Sequence, residues 1–445
     1  MGRLGPHGFD QWHRPKALSF RGARRFSRCS RAKDLTALET AKEVAEQTQQ
    51  FALAEAIDRE LVAKWLEGQT NDLDDYETFF RATESSGDLG SRHPMLEDWL
   101  APLESYVHNE HRVRELHAQA EREGVKIYDL KYDRAAEAAS SLHHRGFVAL
   151  AALSPALLRR QRRLSAALLR RAARAQPGGN RGARRYSLGR STMVPGTLEL
   201  AQNPQVLEVL KAFWGSGCTV QCTGGDASFP GAQQQDLHAD VPVKEVADQL
   251  YSYFDPENPE RKFMELPAPV VKVYFAMVDM DQEVGPPRFL PGTHELTAKQ
   301  DVPPFDPPGC VPLICPAGTA IIMDMRVWHG GTANKSSAAR PMLSVHYAGP
   351  DYSEDVLKDG GSIPFFGTCY WSYHRGSLDQ RGLESLPATG RELCKHLVAD
   401  ETVTCVNCNT PNLRPGRSAL RSIGAPGGPW LCLNCWAAQK ASIMR

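Results

Sequence analysis

The sequence has no long hydrophobic run, no net charge and no regular cysteine framework. Its longest nearly uncharged apolar stretch, Gly146 to Leu158, is too short to span a bilayer, so a soluble protein with no membrane span is expected. Lysine plus arginine equals aspartate plus glutamate at 52 each, so net charge selects no class of partner. No apolar signal core opens the chain, which argues against secretion and for an intracellular setting, cytoplasmic or nuclear. Of the eleven cysteines, two pairs sit at CxxC spacing, Cys405/Cys408 and Cys432/Cys435; the other seven are scattered. That suits a reducing compartment with one metal site better than a disulfide scaffold. With 42% hydrophobic and 23% charged residues the chain is not wholesale disordered. Its length suggests about two to three domains.

The zero charge hides strong local asymmetry. Residues 1–35 hold nine Lys/Arg, among them Arg24, Arg25, Arg28 and Arg31, against Asp10 and Asp34. Such an acid-poor leader suits organelle targeting or a basic tail equally well. Residues 36–137 are helical and, over their first part, acidic, with Leu38, Val44, Phe51, Leu61, Val62 and Leu66 on one side at helical spacing. Ala138 to Leu198 then carries twelve arginines and no acid. Ser154-Pro155 predicts a helix start, with leucines on one face and Arg159, Arg160, Arg162, Arg163, Arg170, Arg171 and Arg174 on the other. The plain expectation is that these arginines pair with the acidic segment upstream. A phosphate-bearing substrate is the sharper alternative.

The chemistry lies between residues 218 and 350. His238-Ala239-Asp240 is a His-x-Asp triplet whose two side chains share a face in extended backbone. A second histidine, His329, follows an apolar strand-like run and precedes Gly330-Gly331. Arg340 opens another strand-like run; a turn through Asn334 to Ser337 would return it beside His329. Two histidines and a carboxylate form the facial triad of non-haem Fe(II) oxygenases. An arginine nearby offers a planar fork for the distal carboxylate of 2-oxoglutarate. On the strand Val270 to Val278, Lys272, Tyr274 and Ala276 share one face, so Tyr274 and Lys272 either line the pocket or meet solvent. His294 and His346 lie near the motifs and are expected to be structural.

From Gly146 to Pro350 the chain resembles the phytanoyl-CoA dioxygenase family of Fe(II)/2-oxoglutarate oxygenases. The matching segments are Gly146-Phe147-Val148-Ala149-Leu150, Leu237-His238-Ala239-Asp240, Gly285 to Pro291-Gly292-Thr293-His294, and His329-Gly330-Gly331-Thr332-Ala333-Asn334 with Arg340. Ala317-Gly318-Thr319 stands where the family has Ala-Gly-Asp. The resemblance implies a mostly β core, a double-stranded β-helix or jelly roll of cupin-like form with flanking α-helices, α+β overall. It implies iron on His238, Asp240 and His329 and 2-oxoglutarate on Arg340. Where the family often has a serine, two after the distal histidine, Gly331 stands, so Thr332 is the candidate hydroxyl; Tyr274 is a further candidate contact to the co-substrate. The implied reaction consumes O2 and hydroxylates a C–H bond of a small-molecule or acyl substrate, releasing succinate and CO2, with ascorbate as a helpful reductant. Related halogenases lack the carboxylate, so Asp240 favours hydroxylation.

The C-terminus carries a second signal. Cys405-Val406-Asn407-Cys408 and Cys432-Leu433-Asn434-Cys435 have the paired spacing of a structural Zn(II) site. Gly427-Gly428-Pro429-Trp430-Leu431-Cys432 resembles a GATA-type zinc finger, with a longer loop and Cys-Leu-Asn-Cys for Cys-Asn-Ala-Cys. Thr402 to Arg445 has no acid and a charge of +5, which suits nucleic acid or a protein partner. The expected organisation is a leader at 1–35, a helical segment at 36–137, the oxygenase barrel at 138–374, a linker at 375–402 and a zinc finger at 403–440. The alternative to an oxygenase is a zinc-finger regulatory protein with a catalytically silent barrel.

Overall fold

The computed structural model of the chain describes residues 38, 41–42, 51–66, 95–240, 268, 270–295, 306–350, 377–399, 401–415, 418–422 and 429–443. The basic leader and the acidic run from Asp72 to Glu77 lie outside the described residues. The chain divides into residues 1–57 and 58–445. In the first, the described residues are Leu38, Ala41, Lys42 and the opening turns of helix Phe51–Leu66; the second holds the sheets and the sites.

Among the described residues, ten strands build the core: β1 (Ile127–Tyr128), β2 (Phe147–Ala151), β3 (Arg185–Ser187), β4 (Thr219–Ser228), β5 (Val270–Ala276), β6 (Pro287–Leu290), β7 (Val311–Pro312), β8 (Thr319–Asp324), β9 (Trp328–Gly331) and β10 (Arg340–Ala348). The major sheet has the order β1-β2-β8-β5-β10-β4-β3 and the minor sheet β7-β6-β9. All pairings are antiparallel except β1 with β2.

Register fixes one inner face. Arg340, Met342, Ser344 and His346 of β10 pair with Ser228, Asp226, Gly224 and Cys222 of β4. On the other side Met342, Ser344 and His346 pair with Ala276, Tyr274 and Lys272 of β5. Because side chains alternate, every polar group in these rows shares a face. Lys272 is buried, so of the two sequence readings for this strand the solvent-facing one is excluded. The opposite face carries Phe275, Leu343, Val345 and Tyr347, all buried. Tyr347 there donates its hydroxyl to Ala201 O at 3.0 Å.

Two sequence expectations change here. The run before His329 is not one strand: β8 ends at Asp324, which holds the Arg326 guanidinium in a buried ion pair, and the chain then crosses to the minor sheet as β9. Nor do β9 and β10 form a hairpin, since β9 pairs with β6 and β10 with β4 and β5.

Helix Pro155–Ala175 starts as expected, with Ser154 Oγ accepting from Leu157 N at 3.3 Å. It packs against helix Leu96–Glu104, and Arg170 holds Glu97 and Glu104, both at 2.8 Å. Arg163 reaches Asp58 at 3.4 Å and Arg160 reaches Glu199 at 3.0 Å. Arg160, Arg163 and Arg170 therefore pair within the fold. Arg162 departs from the outward face assigned to it: it is buried, donating to the carbonyls of Pro102, Leu103 and Met277 with Tyr106 over its guanidinium.

The expected linker is folded from 377 to 399. Helices Gln380–Glu384 and Ala388–Cys394 bury Leu386, Leu393 and Cys394, flanked by buried Leu378 and Leu397. His396 Nε2 lies 2.7 Å from Val220 O and Gly390 N donates to Gln202 Oε1 at 3.1 Å, tying the segment to the core. The C-terminal piece adds β11 (Ala419–Arg421), β12 (Trp430–Cys432) and helix Leu433–Ile443.

Candidate active site

His238 and His329 come from separate segments joined as an isolated antiparallel bridge. His238 N donates to His329 O at 2.9 Å and His329 N to His238 O at 2.8 Å. Each ring is fixed by its own backbone: His238 Nδ1 meets Asp236 O at 3.0 Å and His329 Nδ1 meets Val327 O at 2.9 Å. A carbonyl only accepts, so each Nδ1 carries the hydrogen and each Nε2 presents a lone pair. Those Nε2 atoms lie 3.9 and 3.7 Å from Asp240 Oδ1. The three ligand atoms all fall within 4.8 Å of one another. Phe289 stacks on His329 with ring centres 5.8 Å apart, and Phe147 on Phe289 at 4.6 Å, walling one side with hydrocarbon.

The other oxygen of Asp240 is engaged. Lys272 Nζ donates to Asp240 Oδ2 at 3.2 Å and reaches Asp226 Oδ2 at 3.5 Å. Tyr274 donates its hydroxyl to Asp226 Oδ2 at 2.7 Å, and Arg181 holds Asp226 Oδ1 at 2.7 Å. Burial alone would raise the Asp240 carboxyl, but the Lys272 ammonium, with the two histidines and Arg181 around it, holds it well below the carboxylate range. Burial, partly opposed by Asp240, lowers His329 to about 4, so its imidazole is neutral at pH 7. Two imidazole nitrogens converging with an ionised carboxylate suit a divalent transition metal.

Beside this group a pocket enclosing about 480 Å3 of free space, solvent included, is lined by Arg181, Arg185, Asp226, Gln235, Tyr274 and Arg340, among others. Arg340 is buried, and its Nε donates to Ser228 Oγ at 3.0 Å. Burial, then repulsion from Arg185, lowers its guanidinium to about 10, which leaves it charged. No carboxylate lies within ion-pair distance of Arg340 among the described residues.

The structure thus brings His238, Asp240, His329, Tyr274 and Arg340 together. It does not bring Thr332: that hydroxyl donates to Pro286 O at 2.7 Å, outside the pocket lining, and Ser228 is the hydroxyl beside Arg340 instead. His294 and His346 stay out of the triad, His294 Nε2 lying 2.8 Å from His143 O. Thr293 of the Pro-Gly-Thr-His segment is a brace, accepting from Trp328 N at 2.9 Å just before His329. Asp226, Arg181, Arg185 and Ser228 were missed. The only signal for Asp226 and Ser228 is the alternation of β4 against β10, visible once the register is known; Arg185 is brought in by the pairing of β3 with β4, and Arg181 lies in the loop before β3.

Residues 142–342 match the phytanoyl-CoA dioxygenase (PhyH) family. All four residues His238, Asp240, His329 and Arg340 fall inside the PhyH match, and the four clustered cysteines fall outside it. A curated relative, dioxygenase af480 of Aspergillus fumigatus, is 26% identical over 158 residues, covering 34% of this chain. The alignment spans 44% of that relative's length. Both matches support a dioxygenase-type enzyme. Among solved structures, the non-heme alpha ketoglutarate dependent epimerase SnoN from nogalamycin biosynthesis is 18% identical, with TM-score 0.37, covering 48% of this chain and 80% of its own. AviO1 from Streptomyces viridochromogenes Tue57 is 18% identical with TM-score 0.37, covering 49% of this chain and 96% of its own.

A second cluster lies beyond the PhyH match. The sulfurs of Cys405, Cys408, Cys432 and Cys435 fall within 4.8 Å of one another. Asn407 Nδ2 donates to Cys435 Sγ at 3.3 Å, and Cys408 Sγ lies 3.0 Å from Thr410 Oγ1. Burial raises the Cys405 thiol, but backbone N–H groups of Cys432, Cys408 and Asn407 outweigh it and bring it down to about 6. Trp436, Leu420 and Leu431 are buried in this small module.

Proposed function

We propose that the barrel is an Fe(II)- and 2-oxoglutarate-dependent oxygenase that hydroxylates a C–H bond of a small-molecule or acyl substrate. The observation that carries this reading is the convergence of two imidazole Nε2 atoms and one carboxylate oxygen beside a pocket holding a buried guanidinium with no carboxylate partner among the described residues. His238, Asp240 and His329 hold the metal, and Arg340 grips the distal carboxylate of the co-substrate with Ser228 setting its orientation. Iron held by these residues would, with 2-oxoglutarate and O2, supply the oxidant for hydroxylation, with succinate and CO2 as co-products. Lys272 occupies Asp240 Oδ2, which leaves Oδ1 as the ligand oxygen. Phe289 and Phe147 keep water from the His329 side.

Equilibrium dialysis with Mn(II), a redox-inert stand-in, tests the assignments. The wild type is expected to bind Mn(II) and, in its presence, one 2-oxoglutarate. His238→Ala removes the metal, whereas Arg340→Met keeps it and weakens 2-oxoglutarate by ~100-fold, the cost of leaving a buried carboxylate without its charge partner. Unchanged 2-oxoglutarate affinity in Arg340→Met would contradict the role given to that arginine.

We further propose that Cys405, Cys408, Cys432 and Cys435 hold one structural Zn(II). Four sulfurs at tetrahedral range favour zinc over a hard cation. Zinc analysis of the purified chain checks this: one equivalent is expected, and none in a Cys432→Ser, Cys435→Ser double variant.

A further inference from the structure

Arg185, Ser228 and Arg340 form one cross-strand row, Ser228 being the register partner of both arginines. Both guanidinium groups line the pocket, and both residues are buried, 7% and 2% exposed. Neither has a carboxylate within ion-pair distance among the described residues. The carboxylate that lines the pocket, Asp226, is already held by Arg181 at 2.7 Å, Lys272 at 3.5 Å and the Tyr274 hydroxyl at 2.7 Å.

The two guanidinium groups are anchored differently. Arg340 stays over the major sheet, with Nε on Ser228 Oγ at 3.0 Å and NH1 3.5 Å from Met342 Sδ. Arg185 reaches across to the minor sheet, its NH2 donating to Gln233 O and, at 3.2 Å, to Thr332 O. Its NH1 would lie 2.8 Å from a Cβ on Gly331, two residues after His329. NH1 and Nε of Arg185 make no hydrogen bond among the described residues.

A dicarboxylate co-substrate answers one of these cations: its keto-acid end belongs at the metal and its distal carboxylate at Arg340. The two carbonyls meet only NH2 of Arg185, so its NH1 and Nε are left to an incoming anion, which would also offset the repulsion between the two guanidinium groups. We propose that Arg185 receives a carboxylate of the substrate that is oxidised, so that the substrate is an organic acid docked where β9 meets the segment leading to His238. This rests on the oxygenase reading above. The placement leaves Arg340 to the co-substrate and sets the acid group of the substrate on the metal side of the pocket, at the Gly331 rim.

Calorimetry on the full chain loaded with Mn(II) and 2-oxoglutarate tests it, with benzoate and hexanoate as probes and benzamide and hexanamide as uncharged controls. At least one carboxylate is expected to bind, its amide about tenfold more weakly or worse, a difference of about 1.4 kcal/mol. Arg185→Gln is expected to weaken the carboxylate by about tenfold or more while changing 2-oxoglutarate affinity by less than about threefold. Arg185→Lys keeps the charge and is expected to retain part of the binding. The acid-against-amide comparison is made on the wild type and needs no variant to fold. Binding of neither acid, equal binding of acid and amide, or an Arg185→Gln chain that loses 2-oxoglutarate as Arg340→Met does would overturn the inference. A wild type that takes up no 2-oxoglutarate with Mn(II) would instead overturn the oxygenase reading, and this inference with it.

Discussion

Lys272 shows what a single buried residue can decide. Its ammonium lies between Asp240 and Asp226, 3.2 and 3.5 Å from their oxygens, and is 1% exposed. Without it two carboxylates would face each other in a dry interior, and Asp240 would lose the group that orients it. Lys272→Met is therefore expected to weaken Mn(II) binding by ~10- to 100-fold, the range for partners that orient a metal ligand. An unchanged affinity by equilibrium dialysis would show that Asp240 needs no such support. His346 makes a different prediction. Burial, with Lys272 adding to it, lowers its folded pKa to about 3. Between that value and about 6.5 the unfolded chain binds a proton that the folded chain does not, so stability falls as pH falls. Going from pH 7 to 5 should cost about 2 kcal/mol through this residue. His346→Gln should flatten the urea-measured slope by about one proton, and an unaltered slope would contradict the buried neutral ring. At this scale the sequence displayed His238, Asp240, His329 and Arg340 because motif spacing marks them. Asp226 and Ser228 carry no motif, and only strand register brings them to the site.

Elements set where those residues meet. The apolar run before His329 reads as one strand, but the Asp324–Arg326 pair turns the chain and passes it to the minor sheet. His329 and Arg340 therefore come to one pocket from opposite sheets rather than along a hairpin, because β10 is already paired on both edges. Local spacing could place Arg340 near His329 but could not say by which route. Two glycines are explained by contact. At Gly285, with φ of 78°, a Cβ would lie 2.5 Å from Ala333 O, and at Gly146, also at 78°, it would meet His294 Nδ1 at 2.6 Å. Gly331 bears on the site itself, since its Cβ would crowd Arg185 NH1 at 2.8 Å and Gln235 Oε1 at 2.9 Å. Gly331→Ala is expected to displace Arg185 and weaken benzoate or hexanoate by about tenfold, with 2-oxoglutarate affinity kept within about threefold. Equal loss of both ligands in calorimetry would mean that β9 itself had moved.

Among the described residues of the larger unit, charge is used mostly for assembly. The arginine-rich helix Pro155–Ala175 meets Asp58, Glu97 and Glu104 upstream, as its charge pattern against the acidic segment suggested, and Glu199 downstream. Arg162 was misplaced on the outer face because helical spacing alone cannot show a cation satisfied by three backbone carbonyls. Arg162→Met should destabilise the chain by about 3 kcal/mol, leaving those acceptors dry and unpaired, whereas Arg170→Ala at the surface should cost about 1 kcal/mol or less. Chemical denaturation of the two variants checks the contrast, and equal losses would contradict it. The cysteine module lies outside the PhyH match, so the zinc proposed for it and the chemistry proposed for the barrel should separate. The Cys432→Ser, Cys435→Ser double variant is expected to lose zinc while keeping Mn(II)-dependent 2-oxoglutarate binding within about twofold. Loss of that binding would show that the module supports the pocket. The central claim is that this barrel turns over 2-oxoglutarate at its histidine–aspartate site. Succinate formed from 2-oxoglutarate under air, with Fe(II) and ascorbate, should be measured for the wild type beside His329→Ala. Succinate from the wild type and none above background from His329→Ala is the predicted result. Equal succinate from both, or a wild type that neither forms succinate nor binds 2-oxoglutarate, would contradict it.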